Sequence, residues 1–262
     1  MMKENEMKSK KPIVIVGIGQ MGGVFARGFL CAGYPVYPVT SKMTMEESAE
    51  TFPEPFFVLL AVPENTLSKT LKAVPAKWQG KLGLLQNELL PCVWEKENIK
   101  NPTAMAVWFE KKKGMDVHVF QPTPVYGPYA ELVRTGLNAV DIPCDVLPDE
   151  KTLLTELIKK NLYVLNINIA GLVAGGTTGE LWKNHLDLVI RLSNDILDIM
   201  DHITQQTCDR KDLIGFMEHI LTAEPDHNCR GRVAEDRLAR VLQLAEKYDL
   251  HPRALNEISR HL

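Results

Sequence analysis

Three glycines near the start of the chain have the spacing that a phosphate-binding turn needs. Gly17, Gly19 and Gly22 form G-x-G-x-x-G directly after the apolar, β-branched run Ile13–Val16 and directly before residues 24–32, which predict a helix. The first glycine permits a tight turn, the second lets a pyrophosphate approach the backbone, and the third lets the helix pack on the strand. The motif therefore predicts a dinucleotide site at a helix N-terminus, although a glycine-rich turn that binds nothing is the alternative. The predicted cofactor-binding residues here are Gly17, Ile18, Gly19, Gln20, Met21 and Gly22.

The residues that follow the second predicted strand, 34–39, bear on which dinucleotide is bound. Thr40, Ser41 and Lys42 stand where an NAD-binding domain carries an Asp or Glu for the ribose 2′-hydroxyl. No acidic residue occurs before Glu46. Because two hydroxyls and a lysine suit a 2′-phosphate, the sequence favours NADP as the cofactor. The alternative is a polar surface turn that contacts only water.

Asn87 is predicted to lie at the carboxyl edge of a parallel sheet, where the ligands of open α/β sheets bind. The apolar run 56–62 predicts a buried central strand, and residues 64–74 predict a short helix. Residues 81–85 predict the next strand, which delivers Asn87 to that edge. We therefore expect Asn87 to contact nicotinamide and substrate and Val62 to contact the cofactor, although Asn is also a common turn residue.

Shorter strands are predicted in the middle of the chain. Residues 103–110 and 117–125 predict an antiparallel pair, and residues 138–146 continue in the same manner. Residues 149–161 predict a helix, and 162–169 predict a last strand or an extended connector. We expect the parallel strands and these later strands to form one sheet.

Helices alone are predicted from about residue 170. Thr177 and Glu180 have the spacing of a capping box, and the helix that they begin is expected to run to about residue 206. Apolar residues at helical spacing predict three further helices, at 212–221, 233–248 and 253–261.

These elements predict an α/β chain with a Rossmann-type nucleotide-binding domain, 1–168, and an all-helical domain, 169–262. The cleft between them is the default site for a substrate. Lys183 lies early on the long helix, near this junction. A lysine in the cleft could donate a proton to a carbonyl oxygen while hydride reaches the carbon. The alternative for Lys183 is a solvated side chain on a helix surface.

Composition and charge argue against several other classes of protein. The net charge is -3 and no basic stripe dominates an element, so we expect no nucleic-acid partner. The five cysteines lack C-x-x-C spacing, which favours reduced thiols in a cytoplasmic protein and no metal site. The polar residues 1–11 lack a signal-peptide core, and no run approaches the roughly 20 apolar residues of a membrane span. We expect a small-molecule substrate, and a homodimer is compatible with the sequence.

The order of short motifs along the chain resembles the ketopantoate reductase family, within the 6-phosphogluconate dehydrogenase-like superfamily. The matching segments are Gly17-x-Gly19-x-x-Gly22, Gln86-Asn87, Val125-Tyr126-Gly127-Pro128, Glu180-Leu181-Trp182-Lys183, and Arg232-Val233-Ala234-Glu235 through His251-Pro252. The resemblance implies a Rossmann domain that binds NADPH, followed by a helical domain. It also implies 2-dehydropantoate 2-reductase activity, the reduction of a 2-keto acid to a 2-hydroxy acid in pantothenate biosynthesis.

The resemblance further implies roles for three residues. Lys183 would be the general acid, and Asn87 would position cofactor and substrate. Glu235 would hold the hydroxyl end of the substrate or tune Lys183. From the residues alone, the alternative for Glu235 is an i,i+4 ion pair within an arginine-rich helix. The arginines concerned are Arg232, Arg237 and Arg240.

Several positions depart from the family's pattern on the cofactor side and beside the glutamate. Glu88 follows the Gln-Asn pair where the family has glycine, and Ala61-Val62-Pro63 stands where the family has a lysine. Asn228-Cys229 replaces the family's serine before Glu235, and we expect Asn228 to contact the substrate.

The long helix also departs from the pattern, because Asp187 and Arg191 replace two asparagines. On a continuous helix these residues share the face of Lys183, at i+4 and i+8. We therefore expect Asp187 to pair with Lys183 and Arg191 to bind a substrate carboxylate through two hydrogen bonds.

Two other functions stay open. Ala61-Val62-Pro63 and the glycine motif also resemble the nucleotide domain of prephenate dehydrogenases, whose NAD(P)-linked oxidative decarboxylation would need a histidine near the nicotinamide. His118, inside a predicted strand, is the one histidine before residue 169. The third function is a catalytically inactive NADP-binding regulatory protein, which the substitutions at Asp187 and Arg191 keep open.

Overall fold

The computed structural model describes residues 10–262, so the predictions for residues 1–9 of the N-terminal segment lie outside the described residues. The chain divides into two compact units, the first ending at Leu154 and the second comprising Thr155–Leu262. This division differs from the predicted boundary between residues 168 and 169, which falls inside a helix. The nucleotide and substrate roles of the two parts stay predictions.

The first unit contains a seven-stranded sheet and, within the described residues, a separate pair of strands. Its strands are β1 Ile13–Val16, β2 Val36–Val39, β3 Phe57–Leu60, β4 Leu82–Leu84, β5 Thr103–Met105, β6 Phe109–Lys111, β7 Val117–Val119, β8 Thr123–Tyr126 and β9 Cys144–Val146. The order in the large sheet is β2-β1-β3-β4-β5-β8-β9. The first five strands of this order are parallel to one another. This confirms the parallel arrangement predicted for β1 to β4, whereas the parallel pairing of β5 with β4 was not predicted. All residues of β1 and β3 are buried, because both faces of a central parallel strand are covered.

Two helices contribute to a core on one face of this sheet. The helices of the first unit are α1 Gln20–Cys31, α2 Met45–Thr51, α3 Glu64–Lys72, α4 Pro91–Glu95 and α5 Ala130–Asn138, with a 3₁₀ helix at Ala76–Lys81. Phe25 and Phe29 of α1 belong to the same buried cluster as Ile13 of β1 and Leu137 of α5. This packing holds α1 against the sheet.

The later strands of the first unit correct two predictions. The antiparallel pair is formed, but it is divided: β6 pairs with β7 in the separate two-stranded sheet, and β8 pairs with β5 in the large one. The expectation of a single sheet is therefore wrong. Residues 138–146 do not continue the antiparallel pattern, because Asn138 ends α5 and only Cys144–Val146 form a strand, parallel to β8.

A long helix, α6 Glu150–Val173, corrects a third prediction. Residues 162–169 are helical rather than extended, and all of them are buried. A continuous apolar run is compatible with either a buried strand or a buried helix, so its periodicity does not distinguish them. The buried amides of Asn161 and Asn168 donate to the carbonyl oxygens of Leu157 and Val164, at 2.9 and 2.8 Å, which satisfies them within the helix.

The second unit is helical, as predicted. After α6 its helices are α7 Thr178–Asn184, α8 Leu186–Thr204, α9 Arg210–Ala223, α10 Ala234–Lys247 and α11 Arg253–Arg260. The capping box at the start of α7 is confirmed, because Thr177 and Glu180 each accept the other's backbone N–H. The single helix expected up to residue 206 is wrong: His185, with φ -133° and ψ 32°, separates α7 from α8.

The fold class that the sequence predicts, a Rossmann-type α/β part followed by a helical part, is confirmed. Among residues 10–262, no helix has the length and the apolar character that crossing a membrane requires.

Candidate functional site

The glycine turn between β1 and α1 needs glycine at two positions for steric reasons. Gly17 has φ +91°, and a Cβ there would lie 2.6 Å from the carbonyl oxygen of Ala61. A Cβ on Gly22 would overlap the carbonyl oxygen of Gly17. Gly19 is different, because a Cβ there would meet no atom within 4 Å. The first and third glycines therefore close the turn, whereas the second leaves open space above it.

The N-terminus of α1 fits a pyrophosphate. Gly19 is its N-cap, no side chain caps it, and its first turn contains no acidic residue. Ile18, Gly19 and Gln20 are exposed. Unpaired N–H groups and the helix dipole favour an anion at such an end. The turn thus combines an accessible backbone with a favourable electrostatic field.

The segment after β2 carries a cation and two hydroxyl groups. Ser41 and Lys42 are exposed, and the backbone N–H of Lys42 donates to Thr40 Oγ1 at 3.4 Å. Among the described residues, the Lys42 ammonium makes no ion pair. The carboxylate of nearby Glu47 accepts a hydrogen bond from Thr44 Oγ1 at 2.7 Å, at the N-cap of α2. A 2′-phosphate therefore has potential partners in this segment.

Gln86 and Asn87 follow β4 at the same carboxyl edge as the glycine turn. Gln86 is 4% exposed, and its Nε2 donates to the carbonyl oxygens of Leu60 at 2.8 Å and Val62 at 3.0 Å. The backbone N–H of Asn87 donates to Glu64 Oε1 at 2.8 Å. The predicted cofactor-binding residues of the first unit therefore share one edge of the sheet. Sequence reasoning gave no role to Gln86 or Glu64, although a polar residue ending an apolar strand was a usable signal.

In the second unit, Lys183 lies on a different helix from Asp187 and Arg191. Lys183 is on α7, exposed, and makes no hydrogen bond or ion pair within residues 10–262. Asp187 and Arg191 lie on α8, beyond the break at His185. The continuous helix face expected for the three residues is therefore absent. The expected Asp187–Lys183 pair is also wrong, since Asp187 Oδ2 pairs with Arg191 Nε at 2.9 Å.

Arg191 has a second carboxylate partner that the sequence did not reveal. Its Nη1 lies 2.6 Å from Oε2 of Glu257 on α11. Hydrogen bonds to Glu257 and then to Asp187 raise the pKa of the guanidinium. Two of its nitrogens are thus engaged, which argues against the predicted two-bond grip on a substrate carboxylate.

A cavity of about 450 Å³ adjoins these residues in the second unit. It is lined by Val173, Asn184, His185, Leu186, Asp187, Leu188, Arg191, Glu257, Ile258 and His261. Four of these side chains are apolar and the others are polar, so the cavity suits a small amphipathic ligand.

Glu235 and Asn228 have local partners. Glu235, in the first turn of α10, pairs through Oε1 with Nη2 of Arg230 at 2.9 Å, and both side chains are exposed. Its partner therefore precedes the helix, unlike the i,i+4 alternative. Asn228 is exposed and forms an isolated antiparallel bridge with Thr177, which places it beside the start of α7.

His118 and the cysteines give no support for other chemistry. His118 is exposed on β7 of the separate two-stranded sheet, with its ring edge-on to Phe120 at 5.1 Å. All five cysteines lie within the described residues and none forms a disulfide. Among residues 10–262, no cluster of three His, Cys, Asp or Glu side chains could hold a metal ion.

Comparison with known proteins gives a likeness in structure and none in sequence. No protein-family model and no curated protein matches the chain. A D-mandelate dehydrogenase solved with NADH is 13% identical with a TM-score of 0.68, over 95% of this chain and 96% of that one. A PanE/ApbA family ketopantoate reductase from Ralstonia eutropha JMP134 is 12% identical with a TM-score of 0.68, over 94% and 95%.

A dimeric ketopantoate reductase from Staphylococcus aureus is 15% identical with a TM-score of 0.63, over 94% of this chain and 95% of that one. At these identities the likeness is one of fold. It extends over both units, and it agrees with the family to which the order of motifs points. The chain therefore has the fold of the ketopantoate reductases, which D-mandelate dehydrogenase shares.

Proposed function

We propose that this protein is an NADPH-dependent reductase that converts a 2-keto acid to a 2-hydroxy acid. The observation that carries the proposal is the open turn at Gly19, at the uncapped N-terminus of α1 and on the carboxyl edge of a parallel sheet. This turn belongs to a chain whose fold is that of ketopantoate reductases. By the same likeness, 2-dehydropantoate is the first substrate to test, with a role in pantothenate biosynthesis.

In this proposal the first unit binds the dinucleotide. The turn from Gly17 to Gly22 holds the pyrophosphate through its backbone N–H groups, with Ile18, Gln20 and Met21 beside it. Thr40, Ser41 and Lys42 bind the 2′-phosphate, which makes NADPH the preferred cofactor. Val62 and Asn87 contact the nicotinamide half, because they follow β3 and β4, which lie on the opposite side of β1 from β2.

The second unit supplies the proton and the substrate contacts. A bound reduced nicotinamide supplies hydride to the ketone carbon. The Lys183 ammonium gives a proton to the ketone oxygen, which it is free to do because no carboxylate of the described residues pairs with it. Asp187, Arg191 and Asn228 contact the substrate, and Glu235 orients its hydroxyl end. Since Arg191 already uses Nε and Nη1, its Nη2 makes a single contact to the substrate carboxylate.

The decisive experiment follows NADPH absorbance with a panel of 2-keto acids that includes 2-dehydropantoate. Substrate-dependent loss of NADPH supports the proposal, and its absence across the panel contradicts it. Lys183→Ala should lower kcat by about 10²- to 10⁴-fold and leave the NADPH Kd unchanged, as expected for a general acid. Lys211→Ala removes an exposed lysine from α9 and serves as the matched control.

A second candidate is a catalytically inactive NADP-binding regulatory protein. The observation that favours it is the engagement of Arg191 by Asp187 and Glu257, at positions where the family resemblance expects asparagines. Nucleotide binding without turnover of any keto acid would support this candidate over the reductase.

We also propose a cytoplasmic homodimer. Dispersed cysteines that form no disulfide are typical of a reducing compartment, and one structure of the same fold is described as dimeric. Sedimentation velocity of the purified protein at micromolar concentration tests the dimer, and a single monomeric species would contradict it.

A further inference from the structure

At the carboxyl ends of β3 and β4, hydrogen bonds from a side chain connect the two segments after the main-chain pairing stops. The main-chain pairing of these strands ends at Leu60 and Leu84. Beyond that point, Gln86 Nε2 donates to both Leu60 O and Val62 O, while Gln86 Oε1 accepts from Leu85 N at 3.2 Å. Because Gln86 is 4% exposed, its amide has little access to water, and these hydrogen bonds to the backbone satisfy it.

The peptide groups that Gln86 holds are those against which the glycine turn packs. Ala61 lies between the two carbonyl oxygens bound by Gln86, and its own N–H donates to Val16 O at 2.8 Å. A Cβ on Gly17 would meet Ala61 O at 2.6 Å and the Val62 side chain at 3.3 Å. The turn therefore rests directly on the segment 60–62, and any shift of that segment must move the turn.

A second contact holds Asn87. Glu64 is the first residue of α3 and is half-buried, and its Oε1 accepts the Asn87 backbone N–H at 2.8 Å. The side-chain amide of Asn87 makes no hydrogen bond within residues 10–262. The backbone of Asn87 is thus fixed while its amide stays available to a ligand.

We infer that Gln86 and Glu64 are positioning residues for the dinucleotide. Gln86 fixes the position of the glycine turn relative to the end of β3, and Glu64 fixes the position of Asn87 and its side-chain amide. This inference rests on the proposed function, since it presumes that a nicotinamide dinucleotide binds at this edge. Neither residue needs to touch the dinucleotide, because each acts through a neighbour: Gln86 through Ala61 and Glu64 through Asn87.

The test measures NADPH affinity by fluorescence titration, with the thermal unfolding midpoint recorded for each variant. Gln86→Met keeps the size of the side chain but removes the amide hydrogen bonds to the carbonyl oxygens of Leu60 and Val62, and it should raise the NADPH Kd about tenfold. Asn166→Leu is the matched control, because the buried Asn166 amide donates to Val189 O at 2.9 Å and Ser193 Oγ at 3.0 Å in the second unit. It should lower the unfolding midpoint similarly and leave NADPH affinity unchanged.

Glu64 is tested by a pair of variants that separate the hydrogen bond from the charge. Glu64→Ala removes the acceptor and should raise the NADPH Kd about fivefold, whereas Glu64→Gln keeps an oxygen acceptor and should stay within about twofold of wild type. Equal weakening by both variants would overturn the role of Glu64, because charge alone would then explain it. This pair also keeps the inference testable should Gln86→Met fail to fold.

The outcomes separate the inference from the proposed function. If wild-type protein binds NADPH and Gln86→Met binds it equally well, the positioning role of Gln86 is overturned and the proposed function stands. If wild-type protein binds neither NADPH nor NADH, the proposed function fails and the inference fails with it. Weaker binding by Gln86→Met, with unchanged binding by Asn166→Leu, supports the inference.

Discussion

Arg191 Nη1 lies 2.6 Å from Glu257 Oε2, so an ion pair joins helix α8 to helix α11 beside the cavity of the second unit. Exposed ion pairs of this kind contribute about 1 kcal/mol or less to folding. The pair therefore matters more for what Arg191 is free to bind than for stability. The effect of this ion pair on substrate binding by Arg191 can be measured directly.

Glu257→Gln should release Arg191 from one competing carboxylate. Because a pair of this strength corresponds to a factor of about five, the KM for the keto acid should fall by up to about fivefold, with kcat little changed. Steady-state kinetics at saturating NADPH measures this. Glu246→Gln, on the exposed surface of α10, is the control, and an unchanged or higher KM in Glu257→Gln would contradict substrate binding by Arg191.

Gly19→Ala should separate nucleotide binding from folding. The added Cβ meets no protein atom within 4 Å, so the unfolding free energy should change little. In the proposed function it projects towards the pyrophosphate, so NADPH affinity should fall at least about tenfold. Titration and urea unfolding of the same samples measure both effects.

Gly23→Ala provides a control within the same helix. A Cβ there also meets no atom within 4 Å, and Ala is a better helix residue than Gly by about 0.5–1 kcal/mol. We expect a more stable protein with unchanged NADPH affinity. Equal nucleotide binding by Gly19→Ala and wild type would show that the turn does not hold a pyrophosphate.

Lys42→Glu should reverse the preference between the two dinucleotides. An acid after the second strand repels a 2′-phosphate and accepts a bond from a ribose hydroxyl, so NADPH affinity should fall about tenfold while NADH affinity is kept or improved. Lys113→Glu makes the same charge change at an exposed position between β6 and β7. A wild-type protein that prefers NADH would refute the assignment of NADP.

The buried thiols should be unreactive in the folded protein. Burial raises the pKa of Cys144 to about 12 and that of Cys229 to about 11, whereas Cys31 is exposed. A thiol-specific aromatic disulfide should therefore label Cys31 in native protein, and Cys144 and Cys229 only after unfolding. Mass spectrometry of the labelled peptides identifies the sites, and fast native labelling of Cys144 would contradict its burial.

The raised pKa of Cys144 should also make the free energy of unfolding depend on pH. The pKa of folded Cys144, about 12, lies above the ordinary value of 9.0, so the unfolded chain loses its proton first. The free energy of unfolding should then fall as the pH rises from about 9 towards 12. Urea unfolding of wild type and Cys144→Ala at pH 8 and pH 10 measures this, and an equal fall in both proteins would argue against a contribution from Cys144.

Sequence alone determined the features that depend on neighbours along the chain. The glycine motif and its strand follow from a local pattern, since Gly17 needs positive φ and Gly22 needs to contact the turn itself. The capping box of Thr177 and Glu180 was likewise predictable, because its partners are three residues apart. The order of such motifs sufficed to point to the fold that the solved structures share.

Only the tertiary structure decided the features whose partners are distant in sequence. Residues 162–169 are helical and buried throughout, and an apolar run of this kind does not distinguish a buried helix from a buried strand. Arg191 turned out to be held by Glu257, 66 residues away, and Gln86 by the carbonyl oxygens of a different strand. Hydrogen bonds depend on distance and direction in space, so the groups that hold a site together could be recognised only once the chain was folded.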